Sequence, residues 1–344
     1  MTTEAPAEDG CATPGVGLSG RWVLGVDIGG TNLVVAAVPV VGGEPVALLS
    51  GDTRPERGPD AAVADIAVMA NRVISETIRS QGGAREDFVG VGIGSPGPLD
   101  LLTGVILMTP NLGWDGYPIR DRISDAVGLP ATLDNDGNCA TYGEWWLGAG
   151  RGTSSLLCVT LGTGIGGGFI DDGRLLRGAS GSALEIGHTT IDFKGRRCGC
   201  GNYGCLEAYA SGPNIAARAR AGVEAGYPSL LSALVDGQLD RITAALVYEA
   251  LLQGDEYAQE VMTETARMLG AGLANLVNTF NPEVLVVVGG VTRAGEHLFG
   301  PLRSEVRRRA FASAVEACSI VPGVLPDTAG VIGAAGVFLA EHQS

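Results

Sequence analysis

Aromatic side chains and positive charge are both scarce in this sequence of 344 residues. Phe, Trp and Tyr together make up 5%, and 23 Lys and Arg stand against 38 Asp and Glu, which gives a net charge of −15. Binding of nucleic acid depends on Lys and Arg that neutralise phosphates and, for single strands, on aromatic rings that stack on bases. The basic cluster from Arg303 to Arg309 is expected to form a solvated helix face. We therefore expect no nucleic-acid partner.

Long apolar runs are also missing. No stretch reaches the roughly 18 apolar residues of a membrane-spanning helix, and no secretory signal is recognisable before the first apolar run near Trp22. Cysteines in a metal-binding pattern, without an export signal, favour a cytoplasmic protein with no membrane partner. Residues 1–20 contain little to bury, and we expect a disordered tail there, too short for a DNA-binding domain.

Glycine, by contrast, is abundant. The chain has 54 glycines, more than double the usual share of about 7%. Such a composition indicates many tight turns and close approaches of the backbone, as phosphate-binding proteins need. Apolar residues make up 45% of a chain that is long enough for two domains. We expect a globular protein and not a disordered one.

A histidine and three cysteines fall within one short glycine-rich segment. The four residues are His188, Cys198, Cys200 and Cys205. One imidazole and three thiolates complete the closed tetrahedral shell of a structural zinc ion. Unrelated buried thiols are the alternative, but the polar, turn-rich surroundings disfavour them, and a disulfide would leave one cysteine over. Because Glu185 and Glu207 flank the segment, we expect the metal to fix a loop whose edges hold a substrate.

Glycine-rich turns follow several apolar strands. The strand Trp22–Ile28 ends at Gly29 and Gly30, and a second strand is expected over residues 33–38. A glycine pair lets backbone N–H groups approach an anion, and Asp27 at the strand end can hold a magnesium ion. An ordinary hairpin turn is the alternative.

A second hairpin of the same kind lies in the other half of the chain. The apolar run 155–161 enters the sequence GTGIGGG, and a third glycine pair, Gly289 and Gly290, follows an apolar run at 285–288. No lysine follows these glycines, which excludes a P-loop, and a strand follows in place of the helix of a dinucleotide fingerprint. The two hairpins form a weak internal repeat.

Polar residues crowd at a junction between a strand that begins at Ala131 and a helix expected over residues 139–147. They are Asp134, Asn135, Asp136 and Asn138. Asp134 or Asn135 can cap the helix, but capping does not need four polar groups. Glu144 is expected to be structural. The rigid loop 94–100 is typical of a site wall, and Asn111 is either a turn residue or a buried amide.

Helical periodicity accounts for much of the remaining chain. It predicts helices within residues 60–80, 211–280, 296–311 and 332–341, and a further strand at 88–93. The longest helix, 257–280, is expected to end at the Asn-Pro step that follows it. The last helix is rich in small residues and can pack closely.

With these motifs in place, the sequence resembles the ROK family, which comprises repressors, open reading frames and sugar kinases. The motifs occur in the family's order: DIGGTN, GSPGPLD, TPNLGW, NDGN, LGTGIGGG, EIGH, CGCGNYGCLE and VVVGG. The resemblance implies an α/β, actin-like fold of the sugar kinase/Hsp70/actin type, with two domains, a mixed sheet in each and a cleft between them. The small domain would comprise 21–133 and a C-terminal helix at 330–344. The large domain would comprise 134–329, with the zinc-binding segment at 188–205.

The resemblance also implies roles for particular residues. Asp136 matches the family's catalytic base, and the substrate-binding set is Gly97, Asn111, Asn135, Asp136, Glu185, His188 and Glu207. ATP phosphates and Mg²⁺ would be held by Asp27, Gly29, Gly30, Thr31 and Asn32 from one hairpin and by Gly162, Thr163 and Gly164 from the other. Gly289 and Gly290 would lie near the adenosine, and His188 would contact both the zinc and the sugar. One departure from the family pattern is Gly137, where an alanine is expected.

Within the family the sequence is most similar to bacterial glucokinases. This similarity implies transfer of the γ-phosphate of ATP to the 6-hydroxyl of glucose, by a homodimer or homotetramer. Other hexoses or N-acetylhexosamines as acceptors, and polyphosphate as donor, are alternatives. A sugar-responsive repressor of the same family is the competing class. Intact hairpin glycines, the acidic net charge and the short stretch before the first strand favour the kinase.

Overall fold

The computed structural model describes residues 20–109, 111–325 and 327–342. The expected disordered tail lies outside these residues except for Gly20, and so does the end of the expected C-terminal helix. The strands are β1 Trp22–Ile28, β2 Asn32–Pro39, β3 Ala47–Asp52, β4 Phe88–Ser95, β5 Leu99–Asp100, β6 Val105–Thr109, β7 Trp114–Tyr117, β8 Ala131–Asn135, β9 Ser155–Leu161, β10 Ile165–Asp171, β11 Arg174–Leu175, β12 Val284–Val288 and β13 Ser319–Pro322. The helices are α1 Pro59–Gln81, α2 Ile119–Val127, α3 Asp136–Trp146, α4 Glu207–Ala210, α5 Gly212–Glu224, α6 Leu231–Leu234, α7 Ala244–Leu252, α8 Glu256–Phe280, α9 Glu296–Arg309, α10 Ala312–Ala317 and α11 Ala329–His342.

Two five-stranded mixed sheets share one topology. The order is β3-β2-β1-β4-β8 in the first and β11-β10-β9-β12-β13 in the second. In each, an antiparallel hairpin and an edge strand precede two parallel strands. The weak internal repeat seen in the sequence is therefore a repeat of structure, and each glycine-rich hairpin occupies the same place in its sheet. A small third sheet, β5-β6-β7, carries the turn with Asn111.

Helices α3 and α11 lie between the two sheets. Helix α11 packs on β1 and β4, while α3 packs on β9 and β10 and against α11. Glycine makes this contact possible, because a Cβ on Gly333 would lie 1.6 Å from the carbonyl oxygen of Cys139. A Cβ on Gly25 would likewise lie 1.9 Å from the Val331 carbonyl oxygen. The prediction of a small-residue helix that packs closely is confirmed.

The expected strands are confirmed to within two residues, but several helix bounds differ. Helix α3 begins at Asp136, three residues before the predicted start, because the Asn135 side chain accepts from the backbone N–H groups of Gly137 and Asn138. The segment 211–280 contains α5, α6, α7 and α8 with loops between them, and the predicted helix 296–311 ends at Arg309. None of the described helices is long and apolar enough to cross a membrane.

Glu144 has the structural role that the sequence indicates. Its carboxylate is fully buried and accepts from the backbone N–H groups of Ala149 at 2.9 Å and Leu325 at 3.0 Å. It thereby holds the loop before α11 against the end of α3. The division of the chain into domains at residues 133 and 330 stays a prediction.

Candidate active site

A cavity of about 600 Å³ gathers the predicted substrate-binding residues. All seven of them line it: Gly97, Asn111, Asn135, Asp136, Glu185, His188 and Glu207. They come from the loop after β4, the β6–β7 turn, the β8–α3 junction, the cysteine segment and the start of α4. The carboxyl ends of β4 and β8 lie side by side, since Gly94 pairs with Asp134. Parallel strands thus bring segments far apart in sequence to one edge.

The four polar residues at the junction of β8 and α3 differ in their contacts. Asp134 is buried and binds Arg177 Nε and Asn138 Nδ2, both at 2.8 Å. Asn135 caps α3. Asp136 is left as the half-buried carboxylate that faces the cavity, and its Oδ1 accepts from Gly137 N at 2.8 Å. Helix capping therefore accounts for Asn135 alone and does not explain the other three polar residues.

The surroundings of Asp136 favour its protonated form more than water does. Burial raises the pKa of Asp136 above its ordinary value, and the charge of Glu185 raises it further, while the hydrogen bond from Gly137 N opposes the rise. A carboxylate with a raised pKa is a stronger base, and pKa values perturbed in this way are typical of catalytic groups.

A second carboxylate with a raised pKa lies nearby, at the end of β1. Burial and then the charge of Asp136 raise the pKa of Asp27 to about 7. Asp27 and Asp136 both line an adjoining cavity of about 340 Å³, together with Gly29 and Gly290. A cation beside these two carboxylates would stabilise their ionised forms. The donor set therefore suits a magnesium ion.

The second glycine-rich hairpin joins two cavities. Gly162 and Thr163, between β9 and β10, line the 600 Å³ cavity and also a third cavity of about 550 Å³. The third cavity is mainly apolar, with walls that include Ile242, Tyr248 and Met262. A ligand that placed a flat apolar group in this cavity could direct its polar part toward Gly162 and Thr163. The second hairpin therefore lies where a phosphate chain that ran from one cavity to the other would pass.

The other predicted phosphate-binding residues are placed as follows. Gly30 and Thr31 line the 600 Å³ cavity with Gly164 and Gly289, and Gly290 lines the two other cavities. Asn32 lines none of these three cavities. Its carbonyl oxygen instead accepts from Gly29 N at 2.9 Å and closes the first hairpin turn.

The histidine and the three cysteines of the glycine-rich segment converge. Their ligand atoms all lie within 4.8 Å of one another. The sulfurs of Cys200 and Cys205 are 3.7 Å apart, and Cys198 Sγ is 3.7 Å from His188 Nδ1. Zn–S bonds of about 2.3 Å in a tetrahedron separate the sulfurs by about 3.8 Å, whereas a disulfide bond is about 2.05 Å. The four groups therefore fit a tetrahedral metal ion and form no disulfide.

Glu207 connects this cluster to the second hairpin. Its Oε2 accepts from Ile165 N at 2.9 Å, and its Oε1 lies 3.9 Å from Cys198 Sγ. The carboxylate thus contacts both the second glycine-rich hairpin and the cysteine cluster, and it lines the cavity.

Sequence reasoning missed several cavity residues. Thr160 lines the 600 Å³ cavity and its hydroxyl accepts from Gly166 N at 3.1 Å. Arg220 and Arg293 line the apolar cavity. No local motif marks the two arginines, since they come from α5 and from the turn after β12. Thr160 could have been predicted from the sequence, because it lies two residues before the glycine-rich turn that begins at Gly162.

Gly137 is required by the close approach of β10. A Cβ at this position would lie 2.9 Å from both the backbone N and the backbone O of Gly167. The alanine that the family pattern leads one to expect would therefore not fit in this chain without moving α3.

Gly137→Ala is expected to lower kcat at least about tenfold, because displaced catalytic groups lose up to about 10²-fold in rate, and to destabilise the fold by about 1–3 kcal/mol. Steady-state kinetics and thermal unfolding measure both effects. Gly300→Ala in α9 is the matched control, since its added methyl meets only an ordinary contact at 3.9 Å. If the two variants had the same kcat and the same unfolding temperature, the packing argument would be contradicted.

Two mixed sheets of one topology, with a glycine-rich hairpin from each at a shared cavity, define a two-domain α/β protein of the actin-like type. The chain belongs to the ROK family, whose sequence profile matches residues 23–341. It is 37% identical to a glucokinase from Halalkalibacterium halodurans over 95% of this chain and 97% of that protein.

Solved structures agree with this assignment. A ROK family glucokinase from Streptomyces griseus, in complex with glucose and AMPPNP, superposes with a TM-score of 0.78 at 35% identity. The match covers 92% of this chain and 98% of that one. Regulators are also related to this chain. A xylose repressor from Caldicellulosiruptor bescii is 33% identical to it, and the match covers 79% of this chain and 68% of the repressor.

Proposed function

We propose that this chain is a glucokinase that transfers the γ-phosphate of ATP to the 6-hydroxyl of glucose, giving glucose 6-phosphate and ADP. One observation carries the proposal: a single cavity is lined by a carboxylate with a raised pKa, by polar side chains that can bind hydroxyl groups and by two glycine-rich hairpins. The glucokinase relatives and the related complex with glucose and AMPPNP support it.

In the proposed reaction Asp136 accepts the proton of the 6-hydroxyl as that oxygen attacks the γ-phosphorus. The proton leaves the hydroxyl, the new O–P bond forms, and the bond to the β-phosphate oxygen breaks. General-base catalysis of this kind contributes about 10²- to 10⁴-fold. Backbone N–H groups of the two hairpins orient the phosphates, and positioning supplies much of the remaining rate.

The sugar hydroxyls are proposed to be bound by Asn111, Asn135, Glu185, His188 and Glu207, with Gly97 in the wall. The 550 Å³ apolar cavity would take the adenine ring, and Gly289 and Gly290 the ribose side. Mg²⁺, held near Asp27, would neutralise charge on the phosphates. Zn²⁺ in the cluster would be structural, and because Nδ1 of His188 faces Cys198, Nε2 stays available to a sugar hydroxyl.

Glu207→Gln is expected to raise the KM for glucose about tenfold, since hydrogen bonds to charged groups are worth about 1.5–3 kcal/mol. The KM for ATP should change less than about twofold, because amide oxygen can still accept from Ile165 N. Glu224→Gln, an exposed position at the end of α5, is the matched control. An unchanged KM for glucose would remove Glu207 from the sugar site.

The function itself is tested by ADP release over a panel of glucose, mannose, fructose, allose and N-acetylhexosamines, with ATP or polyphosphate as donor. Glucose with ATP should give the highest kcat/KM. The competing class, a sugar-responsive regulator, rests on the similarity to xylose repressors. Absence of turnover with every sugar, together with sugar-dependent retention of DNA in a gel-shift assay, would replace the kinase by a regulator.

Two further features are proposed on the same basis. The chain is expected to work in the cytoplasm. It is also expected to form a homodimer or homotetramer, and light scattering of the purified protein measures this oligomeric state. The small domain is proposed to comprise 21–133 with the C-terminal helix, and the large domain 134–329, so that the cavity lies between them.

A further inference from the structure

A fourth cavity, of about 410 Å³, lies apart from the three described above. Its walls come from the cysteine segment, from α4 and α5, and from α8, and none of its lining residues lines the other cavities. A volume of this size falls within the range of small-molecule sites, about 300–1,000 Å³. The cavity has no part in the proposed phosphoryl transfer.

Three arginines line this cavity in a chain with a net charge of −15. Arg218 forms its inner part, with a side chain that is 6% exposed and that binds Glu264 at 2.7 Å. Its Nε is buried and has no hydrogen-bond partner. A buried donor without a partner costs free energy, and such a donor in a cavity wall indicates a missing acceptor.

Arg196 and Arg197 are exposed and stand at the side formed by the cysteine segment. Among the residues that the structure describes, neither forms an ion pair. The Arg196 guanidinium lies 5.3 Å above the ring of Tyr209. Burial lowers the pKa of Arg218 and the nearby charge of Arg196 lowers it further, while the ion pair with Glu264 opposes the change.

The acidic groups of the cavity do not balance this charge. Glu264 is already bound to Arg218. Glu260 is the other acidic residue of the lining, and its single negative charge does not offset the two positive charges of Arg196 and Arg197. Tyr227 and Tyr257 stack with ring centroids 5.1 Å apart and supply a flat aromatic wall. The basic cluster seen in the sequence, by contrast, is largely neutralised, because Arg308 and Arg309 both bind Glu305.

We propose that this cavity is a second ligand site that binds a phosphate monoester of a small organic molecule. Arg196 and Arg197 would hold the phosphate, since planar guanidinium groups match its oxygens in bidentate geometry. The tyrosine wall would contact the organic part. Sugar phosphates and nucleoside monophosphates share this chemistry.

Isothermal titration calorimetry tests the proposal on the full chain with its metal. Glucose 6-phosphate, AMP and inorganic phosphate are titrated separately, with saturating glucose and a non-hydrolysable ATP analogue present to occupy the active site. One of the two esters should bind with a stoichiometry near one per chain. Arg197→Gln should weaken that binding at least about tenfold, the effect of losing one charged hydrogen bond. Arg151→Gln, an exposed arginine on a turn, is the matched control and should change nothing.

The tighter of the two esters identifies the source of the phosphate. Failure of both esters to bind the wild-type chain would overturn the proposal, and so would equal binding by Arg197→Gln. Equal weakening by Arg151→Gln, or binding of inorganic phosphate as tight as that of either ester, would show a general charge effect and overturn it too. These readouts measure binding alone, so they stand whether or not the chain proves to be a glucokinase.

Discussion

Asp136→Asn is expected to lower kcat by about 10²- to 10⁴-fold, the range that a general base contributes. Asparagine keeps the shape of the side chain but cannot take the proton of the attacking hydroxyl. The fold should be unaffected, because the cap of α3 comes from Asn135 and not from Asp136. Steady-state kinetics and thermal unfolding separate the two effects. Asp125→Asn, an exposed aspartate on α2, is the control, and a kcat within a few-fold of wild type for the Asp136 variant would exclude the role.

The pH dependence of kcat gives a second readout for the same residue. A general base works only when ionised, so kcat should fall as pH falls through the pKa of Asp136. Because burial and the charge of Glu185 raise that pKa, the acid limb should lie above the ordinary aspartate value of 3.8. Glu185→Gln removes a negative charge and should move the limb to lower pH. A limb that moved upward would contradict the electrostatic argument.

Much of the architecture follows from local sequence signals. The apolar run of β1, buried on both faces, and the glycine pair after it predict a hairpin, because only such a strand can lie in the centre of a covered sheet. The same pattern in β9 and β10 predicts the second hairpin. The cysteine cluster was also predictable, since spacing and residue type together specify a metal shell.

Other features depend on contacts between segments distant in sequence. Arg177 follows β11 of the second sheet, yet it binds Asp134 of the first sheet and Glu341 of α11. Position 137 must be glycine because the backbone of Gly167 in β10, thirty positions later in the chain, lies against it. The arginine cavity forms because α5 and α8 pack beside the cysteine segment. No periodicity or motif encodes such pairings, since each partner alone is an ordinary residue.

Cys200→Ser is expected to release the metal and to lower the free energy of unfolding by about 3–5 kcal/mol. Metal binding is coupled to folding, and loss of a structural metal belongs to the most costly single changes. A serine hydroxyl is a harder and more weakly binding ligand than thiolate. Cys200 is itself exposed, so its replacement leaves no cavity, and the expected loss comes through the metal alone. Metal analysis should find one zinc per wild-type chain and less in the variant.

The consequences for the sugar site follow from the position of the cluster. His188 and Glu207 both contact Cys198, so a chain without metal should also bind glucose more weakly. Cys318→Ser is the matched control, because Cys318 lies outside the cluster, beside β13. A wild-type chain without zinc, or a Cys200 variant with unchanged stability and glucose KM, would exclude the structural metal. In that case the 3.7 Å spacing of the sulfurs would need another cause, since free thiols have no reason to converge around one point.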